Sequence, residues 1–210
     1  MKAVIFLNGE YNYSKSFFEQ IIDKDTEIYC ADGGTNYCLQ YSYIPDYVYG
    51  DLDSINSDIL EKIKNLGVDI RKYPMDKDYS DFELILEEIK SKKYEKIYVV
   101  GALGKRTDFT INNVFLLEKY KNIRILSEKE TLFYKDESFT IRNKKNCRFS
   151  MISLDESIEG ITLSGFKYPL ENRNIKRGTS ILMSNIILSD KAEIKFHNGK
   201  IIGILYDSLE

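Results

Sequence analysis

The sequence predicts an α/β protein, a doubly wound and mostly parallel Rossmann-like sheet followed by a small antiparallel β-sandwich. Over roughly the first 125 residues, six short apolar runs alternate with helical stretches, the pattern of parallel strands joined by crossover helices. Beyond about Glu128, seven short strand-like runs follow one another with no convincing helix between them, which is sandwich grammar. Aspartates also recur in the strand-to-helix turns of the first part. Those turns share the edge of a doubly wound sheet where ligands bind. The division falls in the short charged stretch Ser127–Glu130, giving domains 1–127 and 128–210.

Ala3–Asn8 reads as a buried strand, and Ser14 caps a short helix with Phe17, Phe18, Ile21 and Ile22 on one face. Glu27–Cys30 is the second strand, broken by Ala31-Asp32-Gly33-Gly34, whose glycines allow close backbone approach or positive φ. A helix over Thr35–Tyr43 leads through Pro45-Asp46 to the third strand. Ser57 opens the next helix, and Gly67 stands where a C′ glycine belongs. Val68–Tyr73 is the fourth strand. Ser80 and Glu83 form a capping box for a helix over Asp81–Lys90. Lys96–Val100, a helix from about Thr110 to Tyr120 and the strand Asn122–Leu126 complete the first half. In the second half the strands expected are Thr131–Tyr134, Ser138–Arg142, Arg148–Leu154, Ile158–Leu163, Ser180–Leu188, Glu193–Phe196 and Lys200–Tyr206. Asn198-Gly199 between the last two signals a type I′ hairpin.

The chain is organised around Tyr49-Gly50-Asp51-Leu52-Asp53-Ser54. If the third strand is still extended there, period-2 geometry points Asp51 and Asp53 to one side. Two like charges so placed call for compensation, and a hard cation carrying a polyphosphate supplies it, since Mg²⁺ is held by one or two carboxylates plus phosphate oxygens. A lone D-x-D is more often two solvated acids in a turn. Here Asp32, Asp78, Asp81 and Asp108 fall in the same set of turns, accompanied by Lys77, Lys105 and Arg106. A metal-phosphate site explains that series better than helix capping does. Asp78 and Asp81, three apart at a helix start, can face the same way.

Composition narrows the alternatives. A net charge of -3 leaves no electrostatic footprint for nucleic acid. No apolar run approaches the roughly 20 residues of a membrane span, and the N-terminus lacks a signal-peptide pattern, so a cytoplasmic protein is expected. Three cysteines with no C-x-x-C indicate neither a disulfide framework nor a zinc site. The single histidine, His197, argues against Ser-His-Asp chemistry. Gly101-Ala-Leu-Gly104-Lys105-Arg106 imitates a P-loop, but that motif needs glycine in place of Val99 and Ser or Thr in place of Arg106.

With these residues laid out, the chain resembles the thiamine pyrophosphokinase family along nearly its whole length. The matching motifs are Ala31-Asp32-Gly33-Gly34, Pro45-Asp46 with Gly50-Asp51-Leu52-Asp53-Ser54, Lys77-Asp78-Tyr79-Ser80-Asp81, Gly101–Gly104 with Arg106-Thr107-Asp108, and Asn113. In the second half, Gly165–Leu170, Gly178-Thr179-Ser180 and Ser184-Asn185 fit too. The resemblance implies an ATP-binding α/β domain, a β-sandwich that helps bind thiamine, and a homodimer with active sites between subunits. The implied reaction moves the diphosphoryl group of ATP to the thiamine hydroxyl, releasing AMP, with Mg²⁺ as cofactor. Asp51, Asp53, Asp78 and Asp81 would then serve the metal and orient the hydroxyl, while Lys77 and Arg106 neutralise phosphate. Asp32, Gly33, Gly34, Ser54, Gly104 and Asp108 would complete the nucleotide site. Tyr168, Ser180, Ser184 and Asn185 would surround thiamine.

Three residues depart from the family pattern: Phe109 where histidine is frequent, Tyr168 for tryptophan, and Ile186 where an acid is common. None touches the acidic set. A D-x-D nucleotide-sugar transferase is a rival that leaves the second-half matches unexplained. A non-catalytic sensor of nucleotide or thiamine is another, and the full set of acids argues against it.

Overall fold

The computed structural model describes residues 1–76 and 78–207. The chain divides into two compact units, Met1–Phe115 with Asn122–Glu128, and Leu116–Lys121 with Lys129–Glu210.

The first unit is built on β1 (Lys2–Phe6), β2 (Thr26–Ala31), β3 (Tyr47–Gly50), β4 (Asp69–Lys72), β5 (Lys96–Val100) and β6 (Ile123–Leu126). All pairings among them are parallel, in the order β6-β5-β1-β2-β3-β4. The strands that pair on both sides are nearly continuous buried apolar runs, as in Ala3-Val4-Ile5-Phe6, because helices cover both faces of a parallel sheet. Strand order grows one way from β1 to β4 and the other way through β5 and β6. The reversal between β1 and β5 makes the switch point at which such sheets bind ligands.

The connecting helices are α1 (Lys15–Ile21), α2 (Gly34–Gln40), α3 (Ser57–Asn65), α4 (Asp81–Ile89) and α5 (Thr107–Lys119). Local chemistry starts and stops them. Ser14 Oγ accepts from the Phe17 N–H at 3.2 Å. Ser80 and Glu83 form the expected reciprocal capping box. Gly67, at φ +74, closes α3. The start of α2 lies against β1 so tightly that a Cβ on Gly34 would fall 2.2 Å from the Phe6 carbonyl oxygen. α5 begins at Thr107 rather than near Thr110, which brings Asp108 and Phe109 into its first turn.

The second unit carries two antiparallel four-stranded arrays. One is β12 (Asn185–Ile186), β9 (Arg148–Ser153), β14 (Ile201–Tyr206) and β7 (Glu130–Lys135). The other is β11 (Leu170–Lys176), β10 (Ser157–Ser164), β13 (Lys191–Lys195) and β8 (Phe139–Arg142). Phe149, Met151 and Ile201 from the first array join Ile141, Ile158, Ile161, Ile175 and Ile194 from the second in one core. That shared core is the interior of a sandwich.

Two expectations for this half need correction. Asn198-Gly199 does not close a hairpin: β13 is already paired on both sides, with β10 and β8, whereas β14 pairs with β7 and β9. The turn passes the chain from one array to the other, with Asn198 bridging Glu159 on the way. The strand expected over Ser180–Leu188 shrinks to Asn185–Ile186, since Ser180–Ser184 are turns. β11 had no sequence signal, because only Ile175 of its seven residues is buried.

Candidate functional site

The ends of β1, β2 and β5 surround a cavity of about 280 Å³ at the switch point. Asn8, Asp32, Ser54, Asp81, Lys105 and Arg106 bring its charged and polar groups, and Ala31, Phe82 and Phe109 its apolar wall. Gly104 also lines it.

Beside it, Asp32, Asp51 and Asp53 each offer a carboxylate oxygen within 4.8 Å of the others. Asp51 and Asp53 converge for a different reason from the one expected. β3 ends at Gly50, and Leu52 turns the chain at φ +73, so a loop rather than strand alternation brings the two acids together. The Asp53 N–H donates to Asp51 Oδ1 at 3.2 Å, and Ser54 Oγ donates to Asp53 Oδ1 at 2.9 Å. Asn36 fastens this loop to α2, donating to the Ser54 carbonyl at 2.8 Å and accepting from the Asn56 N–H at 3.0 Å.

Asp32 is the residue sequence reasoning set on the nucleotide side, and the structure groups it with the acidic pair. The parallel pairing of β2 with β3 makes their following loops neighbours. Burial pushes the Asp32 carboxyl above the usual range, and the charges of Asp81 and Asp51 add to the rise against hydrogen bonds from Ser54 and the Gly33 N–H. Asp32 Oδ1 is buried without a hydrogen-bond partner among the described residues. A buried oxygen of this kind carries a desolvation cost unless something meets it. Three carboxylates with an orphaned oxygen form an all-oxygen donor set that suits a hard divalent cation.

Asp81 stands close by: a Cβ on Gly50 would lie 2.9 Å from the Asp32 Cβ and 3.1 Å from Asp81 Oδ2. Asp78 is exposed in the turn before α4, outside the trio. Lys77 lies outside the described residues. Gly33 and Gly34 face the chain itself, since a Cβ on either would strike Asn8 or Phe6. Positive φ belongs instead to Asp32, at +42.

On the far side of β1, Arg106 donates to Asp108 through Nε at 3.2 Å and Nη2 at 2.5 Å. The Arg106 guanidinium holds the Asp108 carboxyl below its usual range and lies 4.4 Å over the Phe109 ring. Asn113, buried in α5, ties the helix to the loop by donating to the Ala102 carbonyl at 2.8 Å. Sequence reasoning passed over Asn8 and Asn36. Asn8 lies two residues past the end of β1, in the first of the strand-to-helix turns, and that position was its signal.

In the second unit the structure brings Tyr168 to Asn185. Asn185 is buried, and its Oδ1 accepts from the N–H groups of Tyr168 (3.0 Å) and Ile186 (2.9 Å). Its Nδ2 donates to the Tyr168 carbonyl at 2.8 Å. The side chain of Tyr168 is left exposed. Ser184, at φ +55, is exposed and is anchored through its backbone N–H on Ser150 Oγ. Ser180 is exposed in the preceding turn.

Comparison with known proteins bears on both units. The family model of the thiamin pyrophosphokinase catalytic domain matches residues 18–127, and that of the thiamin pyrophosphokinase vitamin B1 binding domain matches residues 138–201. Thiamine pyrophosphokinase of Bacillus subtilis (strain 168) is 32% identical over 180 residues, covering 83% of this chain and 84% of the relative. Thiamine pyrophosphokinase 1 of Oryza sativa subsp. japonica is 28% identical over 195 residues, covering 79% and 73%. The crystal structure of thiamin pyrophosphokinase from Geobacillus thermodenitrificans matches with a TM-score of 0.88 at 27% identity, covering 98% of this chain and 97% of that one.

Proposed function

This chain belongs to the thiamin pyrophosphokinase family, and from that premise we propose how its residues serve the reaction. It is an enzyme that forms thiamine diphosphate from thiamine and ATP. The thiamine hydroxyl oxygen bonds to the β-phosphorus of ATP while the bond from that phosphorus to the oxygen bridging to the α-phosphorus breaks. AMP leaves and the hydroxyl proton is released. Such transfers rest mainly on positioning and charge neutralisation.

The observation that carries the residue roles is the carboxylate trio at the switch-point edge. Asp51 and Asp53, joined by Asp32, hold Mg²⁺, which when bound draws charge from the phosphate oxygens. Asp81, with Asp78 before it, completes the acidic rim and orients the attacking hydroxyl. Arg106, steered by Asp108, and Lys77 neutralise phosphate charge. Residues 1–127 form the ATP and Mg²⁺ domain and 128–210 the thiamine domain, where Tyr168, Ser180, Ser184 and Asn185 shape the vitamin pocket. An aromatic face at Tyr168 suits the cationic thiazolium. The working form is a cytoplasmic homodimer with active sites at the subunit interface. No helix among the described residues is long and apolar enough to cross a membrane.

The deciding experiment incubates purified protein with Mg²⁺, ATP and thiamine, then separates nucleotides and thiamine species. AMP formed in step with thiamine diphosphate is expected. ADP with thiamine monophosphate would change the group transferred, and bound substrates without product would make the protein a sensor. Light scattering at working concentration tests the dimer, and a monomer would remove it.

A further inference from the structure

Among the described residues lining the cavity, two are cations, and they are held in different ways. Arg106 is already paired with Asp108. Lys105 meets no carboxylate among the described residues. Its Nζ donates to Asn8 Oδ1 at 3.0 Å and to Tyr37 Oη at 2.6 Å, and lies 4.7 Å from the centre of the Tyr37 ring. Neutral acceptors and a ring face fix an ammonium in place without cancelling its charge. The support is stiff as well, since Tyr37 stacks on Tyr11 with ring centres 4.0 Å apart.

The backbone points the same way. Lys105 sits at φ +53, directly after Gly104 at φ +81. A residue with a Cβ pays roughly 1–2 kcal/mol to enter the left-handed region, where glycine is at ease. Non-glycine residues held there cluster at functional sites. A lysine occupying a glycine's conformation, lining a cavity and without an ion-pair partner among the described residues, is explained by an anion that the cavity receives.

We propose that Lys105 binds the phosphate chain of the nucleotide and sets the enzyme's affinity for ATP. The proposal rests on the reading of this cavity as the ATP site. A charge-assisted hydrogen bond of this kind corresponds to about a 10- to 100-fold change in affinity. Lys105 is a binding residue, so its loss acts on the Michaelis constant for ATP rather than on turnover.

The test compares wild type with Lys105→Gly, which relieves the backbone, Lys105→Gln, which keeps polarity without charge, and Lys105→Arg, which keeps charge. Binding of Mg·ATP is measured by calorimetry, alongside thiamine-dependent AMP formation and thermal melting. The Gly and Gln variants are expected to weaken ATP binding about 10- to 100-fold, with the thiamine KM unchanged and Lys105→Gly melting no lower than wild type. Lys105→Arg should recover much of the affinity, and ATP binding should weaken less with added salt in the Gly variant than in wild type. ATP affinity within twofold of wild type in Lys105→Gly would overturn the proposal. So would a variant that melts lower and loses ATP and thiamine affinity alike, which would make Lys105 a tether for Asn8 and Tyr37. Wild type that binds ATP through Lys105 but makes no thiamine diphosphate would sink the activity and leave this inference standing.

Discussion

Asn185→Ala separates two roles that sequence alone merges. The resemblance sets Asn185 against thiamine, whereas the structure occupies its amide with the backbone on either side of Tyr168 and with Ile186. Alanine removes one acceptor serving two N–H groups and one donor serving a carbonyl, at a position 3% exposed. Net values near 1 kcal/mol per bond, eased because Tyr168 itself reaches solvent, give a loss of about 2–3 kcal/mol. For a chain of this size that is a drop of about 4–12 °C in Tm. Tyr168 would also lose its anchor, so the thiamine KM should rise while the ATP KM stays put. Ser184→Ala is the control: Ser184 is anchored through its backbone N–H on Ser150 Oγ, and the substitution keeps that bond. It should raise the thiamine KM with little change in Tm. Differential scanning calorimetry and steady-state kinetics on both variants provide the readout. An Asn185→Ala protein with unaltered Tm and unaltered thiamine KM would refute the reasoning.

Three further outcomes follow from other parts of the structure. Asp51→Asn and Asp53→Asn, made singly, should each lower turnover at least ~100-fold through lost metal positioning; near-normal turnover in a folded variant would remove the metal assignment. Gly34→Ala forces a Cβ to within 2.2 Å of a backbone oxygen and should cost about 2–3 kcal/mol or block folding, while Gly67→Ala, with open space but φ +74, should cost about 1 kcal/mol; equal urea midpoints for the two would contradict the packing. Glu27 is opposed by burial, yet hydrogen bonds from Lys92, Tyr94 and Tyr29 outweigh it and bring its pKa from 4.5 down to about 2. A depressed carboxyl stabilises the fold above its unfolded pKa, and that contribution disappears as pH falls from about 4.5 through 2, on the order of 1–2 kcal/mol after solvent screening. Urea melts across that range should show a smaller pH slope in Glu27→Gln, and an identical slope would discount the network.

Features written in local chemistry were legible in the sequence, and features written in pairing were not. The Ser80–Glu83 box, the Ser14 cap and the apolar run Lys96–Val100 depend on residues within a few positions of one another, and all three stand where the sequence puts them. Asn198-Gly199 carries a genuine turn preference, but whether a turn joins paired strands depends on which edges are free, and β13 has none. β11 escaped because a strand exposed along most of its length shows no alternation to read. The acidic site obeys the same division. Asp51 and Asp53 were visible as a pair, and Asp32 was visible as a strand-end acid, but their grouping follows from β2 lying against β3. Asp108 follows β5, and β1 stands between that strand and β2. Distance across the sheet thus separates the acids into a trio with an orphaned oxygen and a lone carboxylate already matched to Arg106. A single set of aspartates in the sequence therefore becomes two chemistries in the fold, one suited to a cation and one paired with the Arg106 guanidinium.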